Sequence, residues 1–571
     1  MWGRTVAGLV LVALLAAPAA EARKRPRLTA FDSCPQLVRY AAAHARAAAP
    51  LPAAAPTTAP QAAPGASEKT AATDDVSQTN VQEAGIDEPD VVKTDGRTLF
   101  VVSGRTLYAI DARAATPRIV GAVTLPSSAG ELLLHDGHAL VIGRSVLQTI
   151  LPVAAGTMPP SDRIVPQQPR TILAGVDVRD PAHMVVGAPV TVEGTPVSAR
   201  ADGRLARVVV NSAPRFVIEP DTRRSVAGWV PSATVGPAAP KRVVGCGDVL
   251  RPPVFSGTGM TTVLTVDIDA GPAPISSTAV MADAQTVYAS AGNLYVATQR
   301  WDPRSTAATT QLHRFALRAD GADYAASGSV PGAILGQWSL SEQGGVLRVA
   351  STGERDSTVT TLDAALRPLG SIAGLGPDER IRGVRFIGDV GYVVTFRQTD
   401  PLYTVDLSDP RAPRVAGELQ LLGYSAYLHP VGGGLLLGVG QDATDQGRLL
   451  GAQVSLFDVG DPAAPRLLDR RALGENAWTA VESDHHAFSW WPATRLALLP
   501  VSGPGFTGAV GLTAGRTALA DAGRVAAPAG ASFTRSVVIG DRVLLVDPAA
   551  GVQAASLDGL AAQAWTPFPV G

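Results

Sequence analysis

After residue 87 the chain repeats one short pattern: an apolar run, a two-residue turn and a second apolar run. Clear copies occupy residues 131–142, 287–297, 384–396 and 536–546. The Asp-Gly, Gly-Asn and Gly-Asp pairs at their centres supply the positive φ that a tight β-hairpin needs. Because long helical periodicity is scarce in this region, the pattern predicts an all-β domain built from successive hairpins.

A second motif follows several of these hairpins. Residues 405–415 read Val-Asp-Leu-Ser-Asp-Pro-Arg-Ala-Pro-Arg-Val, residues 457–467 repeat the pattern, and weaker copies lie at 110–120 and 176–181. Each describes a strand that ends at Asp, a turn fixed by Pro and a strand that restarts. Repetition at this spacing is typical of radial β repeats, and it predicts a β-propeller of about seven or eight four-stranded blades.

The length and composition allow one large domain or several ordinary ones, and they argue against nucleic-acid binding. Of the 571 residues 46% are hydrophobic, which is enough to bury a substantial core. Lys and Arg number 48 against 50 Asp and Glu, giving a net charge of -2. A protein that follows phosphates needs a basic face, so no nucleic-acid partner is expected.

The N-terminus has the pattern of a secretory signal peptide over residues 1–22. Arg4 supplies the positive charge, residues 6–17 form the apolar core, and small residues at 17–19 and 20–22 offer cleavage sites. The alternative is an uncleaved anchor. The apolar run is shorter than the ~20 residues that a membrane span needs, which favours cleavage. We therefore expect a secreted or periplasmic protein with no transmembrane span after cleavage.

Three further segments follow the signal peptide. Residues 23–47 contain a cysteine and are expected to form a short helix over 33–46, residues 48–78 form an Ala- and Pro-rich disordered linker, and residues 79–571 form the propeller. The chain has two cysteines, Cys34 and Cys246. In an oxidising compartment such a pair favours a disulfide, which would tether the N-terminal segment to the middle of the β domain.

An acidic, turn-rich motif precedes the first hairpin: residues 79–96 read TNVQEAGIDEPDVVKTDG. This motif, together with the stretches at 33–37, 384–403, 423–430 and 484–488, resembles those of a family of secreted β-propeller proteins, distantly WD40-like, whose biochemical activity is not established. The resemblance covers nearly the whole chain after the signal peptide. It implies a secreted propeller and no particular reaction. Because the C-terminal blade is degenerate, the way in which the ring closes stays open.

The acidic residues before the first hairpin are candidates for a calcium site, because Ca²⁺ prefers several oxygen ligands. They are Asp87, Glu88, Asp90 and Asp95. Their spacing does not fit an EF-hand loop. The favoured alternative is that these carboxylates cap turns and orient the first strand, so no cofactor is predicted.

Histidines supply the other candidate chemistry, since they bind metals or transfer protons near neutral pH. His485 and His486 are adjacent, and adjacent residues of a strand point to opposite faces, so they are not expected to share one ion. The favoured alternative is a histidine at a blade edge that bonds a neighbouring loop. For an enzyme with its site in the central channel, the first catalytic candidates are His429, His485, Arg397 and Asp400.

Three functions are consistent with these features. The first is a binding scaffold for a protein, peptide or glycan, because propeller loops at both ends of the channel host recognition. The second is a hydrolase or lyase with a site in the channel. The third is a structural envelope protein stabilised by bound Ca²⁺. No phosphate loop, dinucleotide-binding glycine motif or zinc-protease motif is present in the sequence, so an enzyme is the less favoured hypothesis.

Overall fold

A computed structural model describes residues 28–47, 75–145, 168–215, 219–252, 255–301, 308–397 and 400–569. The predicted signal peptide, residues 1–22, lies outside these ranges, as does most of the predicted linker, residues 48–78. Among the helices of the described residues, none combines the length and the apolar character needed to cross a membrane.

The described strands form nine sheets that follow one another along the chain, here called blades 1 to 9. Seven of them are four-stranded and antiparallel, with the strands in sequence order. The predicted all-β propeller with a short N-terminal helix is thus confirmed. The expected number of about seven or eight blades is not, since the described strands form nine sheets.

Blades 2 and 3 have additional strands at their outer edges. Blade 1 comprises Val92–Thr94, Thr98–Ser103, Thr106–Asp111 and Arg118–Thr124. Blade 2 comprises Ser128–His135, His138–Ser145, Arg170–Asp177, Val185–Val186, Val190–Glu193, Ser232–Val235 and Lys241–Arg242. Blade 3 comprises Thr195–Asp202, Leu205–Ser212, Met260–Asp267 and Pro274–Val280, with Val249–Arg251 and Thr29–Ala30 outside them. Blade 4 comprises Thr286–Ala289, Asn293–Trp301, Ala308–Arg318 and Gly321–Pro331.

The remaining five blades are regular. Their strands are Leu340–Gln343, Val346–Thr352, Ser357–Leu362 and Pro368–Leu375 in blade 5; Arg380–Ile387, Val390–Phe396, Asp400–Asp406 and Arg414–Leu421 in blade 6; Tyr424–Pro430, Leu435–Ala443, Leu449–Asp458 and Arg466–Ala472 in blade 7; Ser489–Trp491, Leu496–Gly503, Phe506–Ala514 and Leu519–Ala526 in blade 8; Arg535–Ile539, Arg542–Asp547, Gly551–Ser556 and Ala562–Pro567 in blade 9.

The helices within the described ranges are few and short. The described residues contain one α-helix, Cys34–Ala47. The 3₁₀ helices are Pro220–Arg224, Val226–Gly228, Cys246–Asp248, Ile268–Ala270, Gln337–Ser339, Ala480–Glu482 and His485–Ala487.

Apolar clusters between neighbouring blades form the core, and the last of them closes the ring. A cluster joins each blade to the next from blade 1 to blade 9. A further cluster packs Val101 and Ile110 of blade 1 against Leu544 and Val546 of blade 9. Since blade 9 takes all four strands from the C-terminal end of the chain, the ring closes by side-chain packing between two complete sheets.

The repeated Asp-Pro motif forms the turn between the third and fourth strands, where it contacts the preceding blade. In blade 7 the carbonyl of Pro462 accepts a hydrogen bond from Thr404 Oγ1 of blade 6 at 2.5 Å. A Cβ on Gly417 of blade 6 would lie 2.6 Å from the same oxygen. The Asp-Pro turn therefore sets the distance between neighbouring blades. The outer strand of the preceding blade needs glycine where it comes closest to this turn.

The N-terminal segment packs on the outside of blade 3. Thr29–Ala30 pairs with Val249–Arg251, and Leu37 and Ala41 of the helix are fully buried against this blade. A disulfide joins Cys34 to Cys246 with a Cα–Cα distance of 5.1 Å, which confirms the predicted pairing.

Candidate functional site

Residues 75–94, here called the central segment, run around the inside of the ring. Ser77 N donates to Val538 O of blade 9 at 2.9 Å, Asp87 N to Ala201 O of blade 3 at 2.7 Å, and Asp90 N to Leu132 O of blade 2 at 3.1 Å. Each of these partner residues lies on the first strand of its blade. The segment then continues as Val92–Thr94, the first strand of blade 1.

Side chains of the central segment reach further blades. Asn80 Nδ2 donates to Tyr427 Oη of blade 7 and to the carbonyl of His485, both at 2.9 Å. Gln82 Nε2 donates to Leu340 O of blade 5 at 2.9 Å, and Glu83 Oε1 accepts from Tyr288 Oη of blade 4 at 2.8 Å. The segment predicted to begin the β domain therefore also lines and fills the middle of the ring.

Glu88 lies at the centre of this arrangement with 2% of its surface exposed. Its Oε1 accepts the backbone N–H of Gln82 at 3.2 Å and lies 3.7 Å from Arg200 Nε. Gln337 Nε2 lies 3.2 Å from both carboxylate oxygens. These donors fix the carboxylate so that Oε2 faces His485 and His486.

His485 and His486 lie on one side of the chain, contrary to expectation. They begin the 3₁₀ helix His485–Ala487, whose N-cap Asp484 accepts the backbone N–H of His486 at 3.0 Å. The ring centroids are 3.8 Å apart, and both Nε2 atoms approach Glu88 Oε2, at 3.2 and 3.7 Å. The expected alternation was wrong, because these residues form a helical turn capped by Asp484 and not a strand.

The charges around this cluster shift its pKa values in opposite directions. Burial raises the pKa of Glu88, but Arg200 and the two histidines outweigh it and hold the value well below the usual range. Burial, with the charge of His486, lowers the pKa of His485 to about 4. Burial also acts to lower the pKa of His486, but the carboxylates of Asp90, Glu88 and Asp484 outweigh it and raise the value.

A second ionic group adjoins the first and links the central segment to blade 9. The buried Arg535 donates from Nε to Asp90 Oδ1 and from Nη2 to Asp484 Oδ2, both at 2.7 Å. Lys93, also buried, contacts Asp87 Oδ1 at 2.6 Å and donates to the carbonyl of Glu88 at 2.6 Å. Arg535 thus fastens the middle of the 87–93 stretch to blade 9, and Lys93 joins the two ends of the stretch to each other.

The four carboxylates named as calcium candidates do not share one site. Asp87 pairs with Lys93, Glu88 faces the histidines and Asp90 pairs with Arg535. Asp95 is exposed and caps the turn into blade 1, accepting the N–H groups of Arg97 and Thr98. The structure brings together instead Glu88, His485 and His486, whose candidate ligand atoms all lie within 4.8 Å of one another.

The four catalytic candidates occupy different environments. His429 is buried in blade 7, where its Nδ1 lies 2.7 Å from Tyr427 Oη, and burial together with Arg385 lowers its pKa to about 3. His485 bonds Glu88, as described above. Arg397 is exposed at the end of the second strand of blade 6. Asp400 begins the next strand of that blade. A joint catalytic role for these four residues stays a prediction.

A cavity of about 170 Å³ adjoins the central segment at blades 5 and 6. Glu83, Arg348 and Arg385 line it. Arg385 is 4% exposed, stacks its guanidinium 5.5 Å from the Trp338 ring centroid, and has its pKa lowered to about 10 by burial. The cavity is smaller than typical small-molecule pockets, which measure roughly 300–1,000 Å³.

Sequence reasoning missed the basic partners of the acidic residues. Arg200 lies 112 positions after Glu88 (200 − 88), and Arg535 lies 447 positions after it (535 − 88). No pattern of neighbouring residues could therefore relate these arginines to Glu88. The presence of Asp484 directly before two histidines was visible, and it is the signal that points to a capped turn.

Two archaeal proteins share part of this sequence. An uncharacterised protein of Archaeoglobus fulgidus is 43% identical over 179 residues, covering 31% of this chain and 28% of the relative. An uncharacterised protein of Methanocaldococcus jannaschii is 39% identical over 181 residues, covering 30% and 28%. The chain thus matches about a quarter of the length of these curated relatives.

Among solved structures, AztD from Citrobacter koseri is 11% identical, with a TM-score of 0.36 over 85% of this chain and 95% of that one. The sequence profile of the Beta propeller domain matches residues 76–560, from the start of the central segment almost to the end of blade 9. With this match over most of its length and a closed ring of blades in its structure, the chain belongs to the β-propeller domain family.

Proposed function

We propose that this protein is a binding scaffold that works outside the cytoplasm, secreted or periplasmic, and presents its end loops to a protein, peptide or glycan partner. The observation that carries this proposal is the filled centre of the ring. Gln82, Glu88 and Asp90 of the central segment are 2–6% exposed. Because the chain itself occupies the channel, the surfaces available to a partner are the loops at the two ends.

The disulfide supports the proposed compartment. Cys34 and Cys246 are bonded, and disulfides persist in oxidising compartments such as the periplasm and the extracellular space. The apolar N-terminal pattern, with Arg4 before it, fits the same route.

Trp478 supports recognition at one end of blades 7 and 8. Its side chain is 54% exposed, and Leu449, the first residue of the third strand of blade 7, is 44% exposed. Asn476 N donates to Leu450 O at 2.7 Å, which holds the loop that carries Trp478 beside this strand. Exposed tryptophans are frequent energetic anchors of protein interfaces, so this pair is our candidate contact surface.

The test uses the mature, oxidised, tagged protein as bait on extracts of its own envelope and culture fluid, followed by binding measurements with the purified candidate. We expect saturable binding that Trp478→Ala weakens by about tenfold or more, the scale of an interface hot spot. Ile275→Ala is the matched control, because Ile275 is 52% exposed on blade 3. Equal affinity of wild type and both variants would contradict the proposed surface.

The same experiment addresses the enzyme alternative. If the bait retains no saturable partner, and a hydrolase screen detects turnover that His485→Ala abolishes without unfolding the protein, the scaffold proposal is wrong and the channel-enzyme hypothesis replaces it.

A further inference from the structure

We propose that Glu88, His485 and His486 bind one divalent transition-metal ion of the zinc type, which fastens the central segment to the loop before blade 8. The proposal does not rest on the partner binding discussed above. It rests on the positions of three donor atoms, on a buried nitrogen without a hydrogen-bond partner among the described residues, and on the groups around them.

The three donor atoms have the spacing of a metal site. With zinc–nitrogen bonds of about 2.0–2.1 Å, two tetrahedral ligands lie roughly 3.3 Å apart. Glu88 Oε2 lies 3.2 Å from His485 Nε2 and 3.7 Å from His486 Nε2. The candidate ligand atoms of the three residues all lie within 4.8 Å of one another, and a His₂Glu set leaves a fourth position open.

His486 Nε2 provides independent support. This nitrogen is buried and has no hydrogen-bond partner among the described residues. The side chain as a whole is 9% exposed. A buried polar atom without a partner is costly, and it needs an explanation such as a bound ion. It points to the same Glu88 oxygen that His485 contacts.

The surrounding groups match the usual support of metal-binding side chains. His486 Nδ1 lies 3.6 Å from Asp484 Oδ1 and 3.9 Å from Asp90 Oδ1. Metal-ligating histidines commonly direct their second nitrogen towards a carboxylate, which orients the ring. Arg200 and the Gln82 N–H contact Oε1 of Glu88. Oε2 faces both histidines and also accepts a hydrogen bond from Gln337 Nε2 at 3.2 Å.

The ligand types select the class of metal. Ca²⁺ takes six to eight oxygen ligands, whereas imidazole suits zinc and its neighbours. Two imidazoles and one carboxylate oxygen therefore favour Zn²⁺. The calcium hypothesis named Glu88 together with Asp87, Asp90 and Asp95, and these last three each have a different partner.

The competing explanation is a purely ionic cluster in which His486 carries a proton and pairs with the three carboxylates around it. The two explanations differ in one observable: a purely ionic cluster needs no metal ion and would bind Zn²⁺ only weakly.

The experiment uses the mature, oxidised protein, stripped with a chelator and dialysed, then titrated with Zn²⁺ by calorimetry. We expect one Zn²⁺ per chain, a higher Tm after loading, and an X-ray absorption spectrum of the loaded protein that shows two imidazole ligands. His485→Ala and Glu88→Gln are each expected to lose stoichiometric binding. Asp484→Asn, next to the ligands, should lower affinity by roughly 10–100-fold.

His183→Ala is the matched control, because the His183 side chain is 82% exposed and pairs only with Asp180 nearby. It should bind Zn²⁺ like the wild type. Far-UV circular dichroism and the Tm of each metal-free variant show whether that variant is folded. The X-ray absorption spectrum is recorded on the wild type, so it tests the site even if a variant does not fold. Absence of a stoichiometric site, a spectrum without imidazole, or unchanged binding in folded His485→Ala would each overturn the proposal.

Discussion

Arg535 shows how single residues hold the centre of the ring together. Its side chain is 7% exposed and lies 2.7 Å from carboxylates of both Asp90, in the central segment, and Asp484, before blade 8. Removing one member of a buried ion pair leaves an uncompensated charge, which costs far more than the pair itself contributes. The same residue thus joins blade 9, the loop before blade 8 and the central segment.

Replacing Arg535 tests this role. We expect Arg535→Met to lower the free energy of unfolding by about 3–5 kcal/mol, because Asp90 is left buried without its partner. Urea unfolding followed by circular dichroism measures the change. The matched control is Arg414→Met, since Arg414 is 76% exposed and pairs with Asp406 at 2.6 Å. Exposed pairs contribute about 0–1 kcal/mol, so similar losses in both variants would contradict the account.

His313 makes stability depend on pH. It is buried in blade 4, its Nδ1 lies 2.7 Å from Ser327 Oγ, and burial lowers its pKa to about 4. An unfolded histidine titrates near 6.5, so between about pH 6.5 and 4 the unfolded state binds more protons. Stability therefore falls as the pH falls through this window, by up to about 3 kcal/mol at roughly 1.4 kcal/mol per pKa unit.

The measurement is the urea midpoint from pH 7 to pH 4 for wild type and for His313→Asn. The variant lacks the titrating group, so its midpoint should fall less steeply with decreasing pH. Parallel pH dependences of the two proteins would show that His313 is not responsible.

At the scale of structural elements, contacts between blades explain the repeated sequence motif. The Asp-Pro turn of one blade lies against the outer strand of the preceding blade, where Gly121, Gly370 and Gly417 stand opposite Pro181, Arg411 and Pro462 respectively. A Cβ at these glycines would lie 2.0–2.7 Å from the facing carbonyl oxygen. The motif recurs because the same contact recurs around the ring.

Gly417→Ala tests this contact. Its Cβ would meet Pro462 O at 2.6 Å, so the two blades must separate, and overpacking of this kind typically costs about 1–3 kcal/mol. The control is Gly292→Ala, which faces no atom within 4 Å. Thermal or urea unfolding should distinguish the two, and a Gly417→Ala protein as stable as the control would contradict the proposed spacing role.

Elements with local signals were predictable, and those set by distant contacts were not. The hairpins, the Asp-Pro turns and the helix beginning at Cys34 follow from residues within a few positions of each other. The route of the central segment past six other blades depends on partners such as Ala201 and Val538, far along the chain. His485 and His486 were expected in a strand, with their side chains on opposite faces. They form a helical turn instead, because the side chain of Asp484 caps it.

For the whole molecule, two connections secure the ring beyond the packing of its blades. The central segment bonds to blades on opposite sides of the channel, and the N-terminal segment is tied to blade 3 by the bond between Cys34 and Cys246. A disulfide stabilises mainly by restricting the unfolded chain, and removing a native one typically costs about 2–5 kcal/mol.

Replacing both cysteines tests the contribution of this tether. Cys34→Ser with Cys246→Ser should lower the free energy of unfolding and expose the helix Cys34–Ala47 to proteolysis, while the blades stay folded. Limited proteolysis with mass spectrometry identifies the cut sites. Cleavage within the blades before the helix would contradict the assignment of the helix as a separately tethered element.

Hydrogen exchange tests whether the central segment, residues 75–94, is a structural part of the ring. The amides of Ser77, Asp87 and Asp90 donate to blades 9, 3 and 2. Mass spectrometry of native-state exchange should find these amides protected as strongly as the blade strands, and the exposed turn at 445–446 exchanging fast. Exchange of the central segment at the rate of that turn would show that the channel is open and would contradict the account.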